Sequence, residues 1–413
     1  MLEYYEQKVN DFAIMKLIKS CVLTINGGSS SIKFALYEIE RSLKQLFYGK
    51  MENIGTKNTK LSFTNADTYE ENSFNINAAD HTNAGNLLIE WLEKQDGFVS
   101  VKAIGHRIVH GMKHTAPQQV TSKLLDELKE ISAYDPEHLP GEINLIEIFQ
   151  KRYPLLPQIA CFDTSFHSSM PPVAKMLPIP RRYNEKGIQR YGFHGLSYAW
   201  LMEELKRIQG NETAQGKIIL AHLGNGASIA AVKDGISIDT SMGFTPTSGL
   251  PMGTRSGDLE PGVAWYLMKV EKLTPEQFSH LINHESGLLG VSETSSDMRE
   301  LMKIKDTDSR AAEAIELFCY QTKKWIGSYV AVLGGLDTLV FAGGIGENAP
   351  EVRDRICHGL QFLGIELNEI KNMNNEAIIS TDASKVCVRV IKTNEELMIA
   401  RLVCNVLNYS IKN

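Results

Sequence analysis

Short apolar runs that end at glycine-rich turns are the main feature of the hydrophobic pattern. Residues 21–25, CVLTI, stop at Asn26-Gly27-Gly28; three serines, an isoleucine and Lys33 follow, and an alternating apolar run begins at Phe34. This pattern predicts a strand, a tight turn and a second strand. Glycines let the backbone approach a ligand closely, and successive N–H groups can surround a phosphate, with Lys33 as a mobile cation. The hairpin therefore fits either a phosphate site or an ordinary turn with a solvated lysine.

A weaker copy of the same pattern follows in the second half of the chain. At residues 217–232 the apolar run KIILAHL leads into Gly224-Asn225-Gly226 and then into the alternating run ASIAAV. The copy has no counterpart of Lys33. Helical patterns at residues 84–94 and 275–283 follow the two copies. Internal similarity on this scale predicts two related α/β halves, with a nucleotide bound between them.

Composition narrows the class of protein. A chain of 413 residues is expected to form two domains, and 43% hydrophobic with 22% charged residues is typical of a globular protein. The formal net charge of −6 argues against nucleic acid as a partner. The sequence predicts no membrane span, and its six scattered cysteines favour a reducing, cytoplasmic location. Residues 1–14 are expected to be an extension that carries no chemistry.

Charged side chains at the ends of predicted strands are the candidates for chemistry. Arg107 lies in GHRIVHG after an apolar run and could bind a carboxylate or phosphate, or be an ordinary surface arginine. Asp163 follows another predicted strand, and His194 stands between aromatic residues and glycines. Arg255 belongs to a long loop, residues 239–258, with little secondary-structure pattern. Long loops of this kind in compact domains are often functional.

Two helix starts are predicted near the end of the chain. The glycine-rich segment FAGGIGEN follows a strand pattern, and Asn348 is expected to cap the helix after it. In KTNEEL, Thr393 and Glu396 have the spacing of a capping box. Glu395 then has no structural task and is the better candidate for a magnesium ligand, through water.

Together these segments resemble the acetate and propionate kinase family, from about Val22 to Arg401. The resemblance rests on ten motifs in order: N-x-G-S-S-S-x-K (26–33), G-H-R-x-V-H-G (105–111), F-D-T-x-F-H (162–167), R-Y-G-F-H-G (190–195), H-L-G-N-G (222–226), D-T-S-M-G-F-T-P (239–246), M-G-T-R-S-G-D (252–258), S-S-D-M-R (295–299), G-I-G-E-N (344–348) and T-N-E-E-L-M-I-A-R (393–401).

The resemblance implies an α/β fold made of duplicated actin-like ATPase (ribonuclease H-like) domains, with the active site in the cleft between them. The first domain would comprise residues 15–165 and 396–413, because the last helix would pack back onto it. The second, nucleotide-binding domain would comprise residues 166–395. The family commonly forms homodimers, so a homodimer is expected.

The resemblance also assigns roles to individual residues. The catalytic positions would be Asp163, His194 and Arg255, and the metal ligands Asn26 and Glu395. The acid would be bound by Arg107 and enclosed by Val109, Ala133, Phe193 and Pro246. Lys33 would bind the nucleotide phosphates, together with His222, Leu223, Gly224, Asn225 and Gly226. The adenine would lie on Asp297, Met298 and Arg299, and the nucleoside on Gly344, Ile345, Gly346, Glu347 and Asn348.

The implied reaction is the reversible transfer of the γ-phosphoryl group of ATP to acetate, by direct in-line displacement, giving acetyl phosphate and ADP. Mg²⁺ is the implied cofactor, with Mn²⁺ as an alternative. A small carboxylic acid has a pKa of about 4–5 and is already ionised at neutral pH, so no general base is needed. Catalysis should then consist of positioning and charge neutralisation. Asp163 is accordingly expected to orient metal-bound water or an arginine.

Several positions depart from the family pattern. Tyr134 and Tyr198 replace usual histidines, Met112 replaces a usual glycine, and Ala133 stands where leucine is usual. The last change should widen the pocket for the alkyl group and favour propionate over acetate. The alternatives are therefore a kinase for propionate or another short-chain acid, a butyrate kinase or pyrophosphate-dependent relative, and a catalytically weak homologue. An actin-like chaperone or filament protein would have no need of Arg107, His194 and Arg255 together.

Overall fold

The computed structural model describes residues 20–28 and 30–411. The predicted extension, residues 1–14, lies outside the described residues, as does Ser29 of the first turn. Thirteen strands are described: β1 (Cys21–Gly27), β2 (Ser31–Ile39), β3 (Leu43–Glu52), β4 (Lys60–Asn65), β5 (Glu71–Asn75), β6 (Val101–Ile108), β7 (Gln118–Gln119), β8 (Gln158–Phe162), β9 (Lys217–Leu223), β10 (Ala227–Lys233), β11 (Ile236–Thr240), β12 (Thr338–Ala342) and β13 (Cys387–Val390).

The described helices, in chain order, are α1 (His81–Leu92), α2 (Ser122–Glu130), α3 (Leu139–Arg152), α4 (Pro172–Lys175), α5 (Arg181–Asn184), α6 (Gly195–Gln209), α7 (Asn211–Ala214), α8 (Pro261–Lys269), α9 (Pro275–His284), α10 (Gly287–Ser292), α11 (Met298–Ile304), α12 (Ser309–Leu333), α13 (Gly343–Asn348), α14 (Pro350–Cys357), α15 (Glu369–Met373) and α16 (Glu395–Val406). None of the helices in residues 20–28 and 30–411 has both the length and the hydropathy that crossing a membrane requires.

The chain divides into two compact units. The first unit contains the described residues up to Ser165 and those from Asn394 to residue 411, and the second contains Phe166–Thr393. The chain thus returns to the first unit at Asn394, two residues before the predicted boundary at residue 396. Glu395, assigned from the sequence to the second domain, belongs to the same unit as Asn26.

The first unit is built on an eight-stranded mixed sheet in the order β5-β4-β3-β2-β1-β6-β8-β7. The predicted hairpin is present, because β1 pairs with β2 in antiparallel register along its whole length. On its other side β1 pairs with β6 in parallel, and β6 pairs with β8 in parallel. Asn26, Arg107 and Asp163 therefore lie at or just beyond the carboxyl ends of three neighbouring parallel strands, where side chains of α/β sheets gather.

The second unit has a five-stranded sheet in the order β11-β10-β9-β12-β13. Here β9 pairs with β10 antiparallel and with β12 in parallel, and β12 pairs with β13 in parallel. This is the same arrangement as β3-β2-β1-β6-β8 in the first unit. The internal copy seen in the sequence is therefore a structural duplication, and the α/β fold with two actin-like halves is confirmed.

Gly105 explains why the last helix can pack against the first sheet. A Cβ atom at Gly105 would lie 2.4 Å from Ile399 Cγ2 and 2.6 Å from Val403 Cγ2. Both side chains are fully buried on α16, so only glycine on β6 allows this approach. Along this helix Met398, Ile399 and Val403 are buried, whereas Leu397 is half-buried. The packing places the start of α16 beside the end of β1.

Both predicted helix starts are wrong in detail. The N-cap of α16 is Asn394, whose side chain accepts the Leu397 N–H at 3.0 Å, and Thr393 is not the cap. Asn348 does not cap α14 but is the last residue of α13, where its Nδ2 donates to the Gly344 carbonyl at 3.0 Å. At α16 the residue next to the predicted cap forms the capping hydrogen bond, whereas α14 begins after Ala349 without a side-chain cap. Sequence spacing alone reveals neither outcome.

Candidate functional site

The glycine-rich turn of the first hairpin is held in place by the backbone and by one histidine. The Gly28 N–H donates to the Ser31 carbonyl at 2.7 Å. His81, the first residue of α1, donates from Nε2 to the Gly28 carbonyl at 2.9 Å. Asn26 and Lys33 are directly opposite across β1 and β2, so their side chains lie on the same face. Lys33 is exposed there, as a phosphate-binding lysine would need to be.

Asn26 connects the end of β1 to the start of α16. Its Nδ2 donates to Glu395 Oε2 at 2.9 Å and to Glu396 Oε1 at 3.2 Å. The two glutamates therefore share one partner, and the explanation of Glu396 by a capping box is wrong. The structure places the two expected metal ligands, Asn26 and Glu395, in direct contact and adds Glu396 to them.

Arg107 is anchored by a buried carboxylate. Its Nε and Nη2 donate to Asp163 Oδ2 at 3.0 and 2.6 Å. The Arg107 side chain is 14% exposed and that of Asp163 is 0% exposed. Burial by itself lowers the pKa of Arg107, but Asp163, Glu395 and Glu142 raise it, so the guanidinium stays charged. On its other edge, Nη1 lies 3.5 Å from both Asn26 Oδ1 and the Gly27 carbonyl, at the end of β1.

Glu142 is a member of this group that the sequence did not reveal. It lies in the first turn of α3 and is buried, and its Oε2 accepts the Val109 N–H at 2.9 Å. Burial raises the pKa of Glu142 well above its usual value, with Asp135 and Asp163 raising it further and Arg107 and the Val109 N–H lowering it. An acidic residue at a helix start usually interacts with the helix dipole, so only the tertiary contact distinguishes Glu142.

The predicted alkyl-binding residues of the first unit occupy different environments. Val109 is buried, whereas Ala133 is exposed in a 3₁₀ turn, Ile131–Tyr134. The same turn leads to Asp135, whose Oδ1 lies 2.9 Å from His138 Nδ1. The other two predicted residues, Phe193 and Pro246, are buried in the second unit.

In the second unit His194 is held by two hydroxyl groups in series. His194 has a left-handed backbone, with φ of 58°, immediately before α6. Its Nδ1 lies 2.8 Å from Ser228 Oγ, and the Tyr198 hydroxyl lies 2.5 Å from the same oxygen. Tyr198, which replaces a usual histidine, is therefore connected to a predicted catalytic residue.

A second histidine stacks on the first with a similar support. The His194 and His222 rings are 4.3 Å apart and inclined by 25°. His222 Nδ1 lies 2.8 Å from Ser197 Oγ, which lies 2.8 Å from Thr393 Oγ1. Each imidazole thus has a serine on Nδ1. Thr393 has this contact instead of the predicted cap.

The remaining predicted catalytic residue, Arg255, is close to the same histidines. A point where a Cβ of Gly226 would lie is 3.3 Å from His194 Nε2 and 3.8 Å from Arg255 Nη1. Arg255 Nη1 also donates to the Pro246 carbonyl at 3.1 Å. A ring nitrogen of His194 and the Arg255 guanidinium therefore face the turn between β9 and β10.

The glycine-rich segments expected to bind the nucleotide meet at the end of β9. A Cβ at Gly224 would lie 3.8 Å from the Gly344 nitrogen and 3.9 Å from His222 Nε2. Glu347 Oε1 accepts the N–H groups of Gly343 and Thr393, both at 3.0 Å. Leu223 is buried and Asn225 is exposed, while Gly346 is buried within α13. The predicted phosphate and nucleoside segments are therefore neighbours.

Asp297 and Arg299 have local structural partners. Asp297 caps α11 by accepting the Arg299 N–H at 2.8 Å, and its Oδ2 lies 2.5 Å from Arg299 Nη2. Hydrogen bonds from Arg299 lower the pKa of Asp297. Between them on the helix, Met298 is buried. These contacts account for the pair without a ligand, so their role with adenine stays a prediction.

The structure groups the predicted residues into two sets. Asn26, Lys33, Arg107, Asp163 and Glu395 form one set in the first unit. The second unit holds the other set, with His194, Arg255, the His222–Gly226 turn and the start of α13. The first set offers a guanidinium, an ammonium and carboxylates, suited to a small anion and a cation. The second offers histidine ring nitrogens and an arginine beside glycine-rich backbone, suited to phosphates.

Comparisons with known proteins agree with these chemical features. Residues 21–401 match the Acetokinase family. An acetate kinase of Methylocella silvestris is 42% identical over 392 residues, 92% of this chain and 96% of that protein. A propionate kinase of Citrobacter rodentium is 41% identical over 388 residues, 92% of this chain and 95% of that protein.

Solved structures give the same result. The crystal structure of Porphyromonas gingivalis acetate kinase has a TM-score of 0.83 at 37% identity and covers 94% of this chain and 100% of that one. A propionate kinase from Francisella tularensis has a TM-score of 0.85 at 38% identity and covers 93% and 98%. Because sequence and structure match over nearly the whole length of both partners, the chain belongs to the Acetokinase family.

Proposed function

We propose that this protein transfers the γ-phosphoryl group of ATP to acetate and forms acetyl phosphate and ADP, in a reversible in-line displacement. The observation that carries the proposal is the Arg107 guanidinium, oriented by the buried Asp163 carboxylate at the end of the first sheet. A fixed arginine suits a carboxylate substrate because its donors match the two carboxylate oxygens. Family membership supplies the reaction, and Arg107 supplies a binding group for the acid.

The charge of the substrates determines what the protein has to do. Acetate is ionised at neutral pH, so its attack on a phosphate is opposed by repulsion and not by the lack of a base. Arg107 would bind and neutralise the carboxylate. Arg107 donates twice to one oxygen of Asp163, so Asp163 would keep the guanidinium oriented. Of the two roles expected for Asp163, orienting metal-bound water or orienting an arginine, the proposal takes the second. This aspartate therefore acts as a positioning group in the proposal.

The residues of the second unit would bind ATP and stabilise the transferring phosphoryl group. His194 Nε2 and Arg255 Nη1 lie close to the Gly226 region, where hydrogen-bond donors would stabilise the charge that spreads over the phosphoryl oxygens. The turn His222–Gly226 and the start of α13 would surround the phosphates and nucleoside. Lys33 would contact the phosphates from the first hairpin.

The residues at the start of α16 fit Mg²⁺. This ion prefers oxygen ligands, keeps several waters and takes only one or two carboxylates together with substrate phosphates. Glu395, Glu396 and Asn26 provide such a set, with Asn26 in contact with both glutamates. Within the described residues no group of three or more His, Cys, Asp and Glu side chains is arranged for a metal, so the proposed site depends on water and ATP. When bound, Mg²⁺ would neutralise phosphate charge.

A homodimer is the proposed assembly. Helix α8 has no buried residue, and it exposes Trp265 by 64% and Tyr266 by 50%, with Val263 and Met268 each exposed by 37%. An apolar helix face of this kind is typical of a protein–protein interface. The cytoplasmic location stays a prediction from the cysteine pattern.

The experiment is a hydroxamate assay, in which hydroxylamine traps the acyl phosphate. Acetate, propionate and butyrate are each supplied with ATP and, separately, with pyrophosphate. We expect product with ATP and acetate, and loss of product in Arg107→Ala. Propionate deserves its own measurement, because propionate kinases are related to this chain at nearly the same identity as acetate kinases. Absence of acyl phosphate with every acid would leave the weak-homologue alternative.

A further inference from the structure

Two buried hydroxyl groups, those of Tyr198 and Ser228, lie in series behind His194, and we call them the relay. Tyr198 on α6 and Ser228 on β10 are both 0% exposed. Ser228 Oγ lies 2.5 Å from the tyrosine oxygen and 2.8 Å from His194 Nδ1. A serine hydroxyl has one proton to donate. The direction in which Ser228 uses that proton therefore decides whether His194 Nδ1 is an acceptor or a donor.

A neighbouring histidine, His167, has the same contact with a serine, and there the direction of the hydrogen bond is determined. His167 Nε2 lies 3.1 Å from the Phe193 carbonyl, and its Nδ1 lies 2.8 Å from Ser237 Oγ. A carbonyl only accepts, so His167 carries its proton on Nε2 and Ser237 donates to Nδ1. Burial lowers the pKa of His167 to about 4, although the bond to Phe193 raises it, so this ring is neutral. The arrangement at His194 has the same serine on the same nitrogen.

We propose that Tyr198 is a positioning residue that, through Ser228, holds His194 in the tautomer with its proton on Nε2. A phenol is a stronger hydrogen-bond donor than an aliphatic hydroxyl, so Tyr198 donates to Ser228. Ser228 then donates its own proton to His194 Nδ1, and the second ring nitrogen must carry the proton. The benefit of this tautomer rests on the proposed phosphoryl-transfer function, whereas the tautomer itself does not depend on that function.

The position of His194 Nε2 shows what a proton on this nitrogen could do. His194 Nε2 lies 3.3 Å from the point where a Cβ of Gly226 would be, and Arg255 Nη1 lies 3.8 Å from it. A proton on Nε2 makes the ring a donor to phosphoryl oxygen, whereas a lone pair there would repel it. Among the titratable and charged groups of the described residues, His222, Tyr198 and Arg255 are placed near the ring.

The tautomer is measured directly by ¹⁵N NMR of histidine-labelled protein, without nucleotide or acid, at about pH 8. His194→Gln assigns the His194 signals. We expect an acceptor-type shift for Nδ1 and a protonated-type shift for Nε2, and in Tyr198→Phe a movement of both towards averaged values. A proton on Nδ1 in the wild type, or unchanged shifts in Tyr198→Phe, would overturn the proposal. This result does not depend on which acid, if any, the enzyme phosphorylates.

Kinetics provide the second readout. Loss of one neutral hydrogen bond should lower kcat of Tyr198→Phe by about three- to tenfold with little change in KM for ATP. A fall in kcat with an unchanged KM for ATP fits the loss of a donor to the transferring phosphoryl group. A rise in KM with an unchanged kcat would contradict the proposal.

Two further variants isolate the relay. Tyr329 on α12 is also buried, but within the described residues its hydroxyl has no hydrogen-bond partner, so Tyr329→Phe should leave both kcat and the His194 shifts unchanged. Because Tyr198 acts only through Ser228, adding Tyr198→Phe to Ser228→Ala should cause no further loss. Additive losses in the double variant would contradict the relay.

Discussion

Arg107 and Asp163 form a buried ion pair in which two guanidinium nitrogens donate to one carboxylate oxygen, at 3.0 and 2.6 Å. Arg107 is the next-to-last residue of β6, and Asp163 directly follows the neighbouring parallel strand β8. The register of the two strands places Arg107 opposite Cys161. This geometry fixes the guanidinium along one edge. The pair therefore explains why a buried carboxylate stands next to a group that is proposed to bind an anion.

Asp163→Asn tests the positioning role. The amide cannot neutralise Arg107, and weakening a buried charge pair of this kind typically costs about 2–5 kcal/mol. We expect kcat/KM for acetate to fall by roughly a hundredfold, with the same pH dependence as the wild type. Initial rates across pH measure this, and Asp126→Asn, which changes an exposed carboxylate on α2, is the control. A profile that loses only its acidic limb would instead make Asp163 a general base.

Glu142→Gln tests the buried carboxyl beside Arg107. Burial raises the pKa of Glu142 well above its ordinary value of 4.5. As the pH rises above 4.5, this carboxyl loses its proton in the unfolded state before it does so in the folded state. The contribution of the group to stability is therefore lost as the pH rises, by at most about 1.4 kcal/mol per pH unit. Glutamine has no such dependence. Urea denaturation should show the variant more stable than the wild type at alkaline pH, by a margin that shrinks towards acid pH.

The control for this prediction is Glu130→Gln, which changes an exposed carboxyl at the end of α2. Its stability difference from the wild type should be the same at both ends of the pH range. Equal destabilisation of Glu142→Gln at acid and alkaline pH would show that the carboxyl is ionised in the folded protein.

The sequence predicted the parts of the fold that depend on local pattern. The hairpin at Asn26 and its copy at His222 follow from alternating apolar runs, and both are present as β1–β2 and β9–β10. Local pattern failed where a neighbouring residue competed for the same bond, as Asn394 did with Thr393 at the start of α16. The boundary of a helix depends on one hydrogen bond, and several residues nearby could supply it.

The sequence predicted individual residues of the candidate site but not the hydrogen bonds that connect them. Glu142 looked like any acidic residue in a first helical turn until α3 placed it on the Val109 N–H. In the sequence, Tyr198 was only the replacement of a usual histidine, whereas the packing of α6 and β10 places its hydroxyl next to Ser228. Both contacts join segments at least 30 residues apart, so spacing along the chain carries no information about them. Glu396 was assigned to a cap for the same reason.

Magnesium dependence should respond to the carboxylates at the start of α16. Glu395→Gln should raise the Mg²⁺ concentration for half-maximal activity by about tenfold or more, since a metal site of few protein ligands loses one of them. Glu396→Gln should cause a smaller rise, because its contact with Asn26 is longer, 3.2 Å against 2.9 Å. Glu369→Gln, at the exposed start of α15, is the control. Unchanged Mg²⁺ dependence in Glu395→Gln would remove this residue from the site.

Assembly should depend on the exposed face of α8. Trp265→Glu introduces a charge where an aromatic side chain is 64% exposed, and burying that charge in an interface would be unfavourable. Light scattering after size exclusion should show a dimer for the wild type and a monomer for the variant. Val99→Glu, at a residue 95% exposed in the first unit, should leave the mass unchanged. A Trp265→Glu protein with the wild-type mass would place the interface elsewhere or exclude it.

The preferred acid should depend on Ala133. From the sequence, Ala133 in place of leucine is expected to leave room for a longer alkyl group. Each additional CH₂ that is buried there would contribute about 0.8 kcal/mol, or several-fold in kcat/KM. The wild type should therefore use propionate at least as well as acetate. Ala133→Leu should shift the ratio of kcat/KM values towards acetate, whereas Ala133→Ser, which keeps the volume small, should not. A clear preference of the wild type for acetate would show that the width of the pocket is set by other residues.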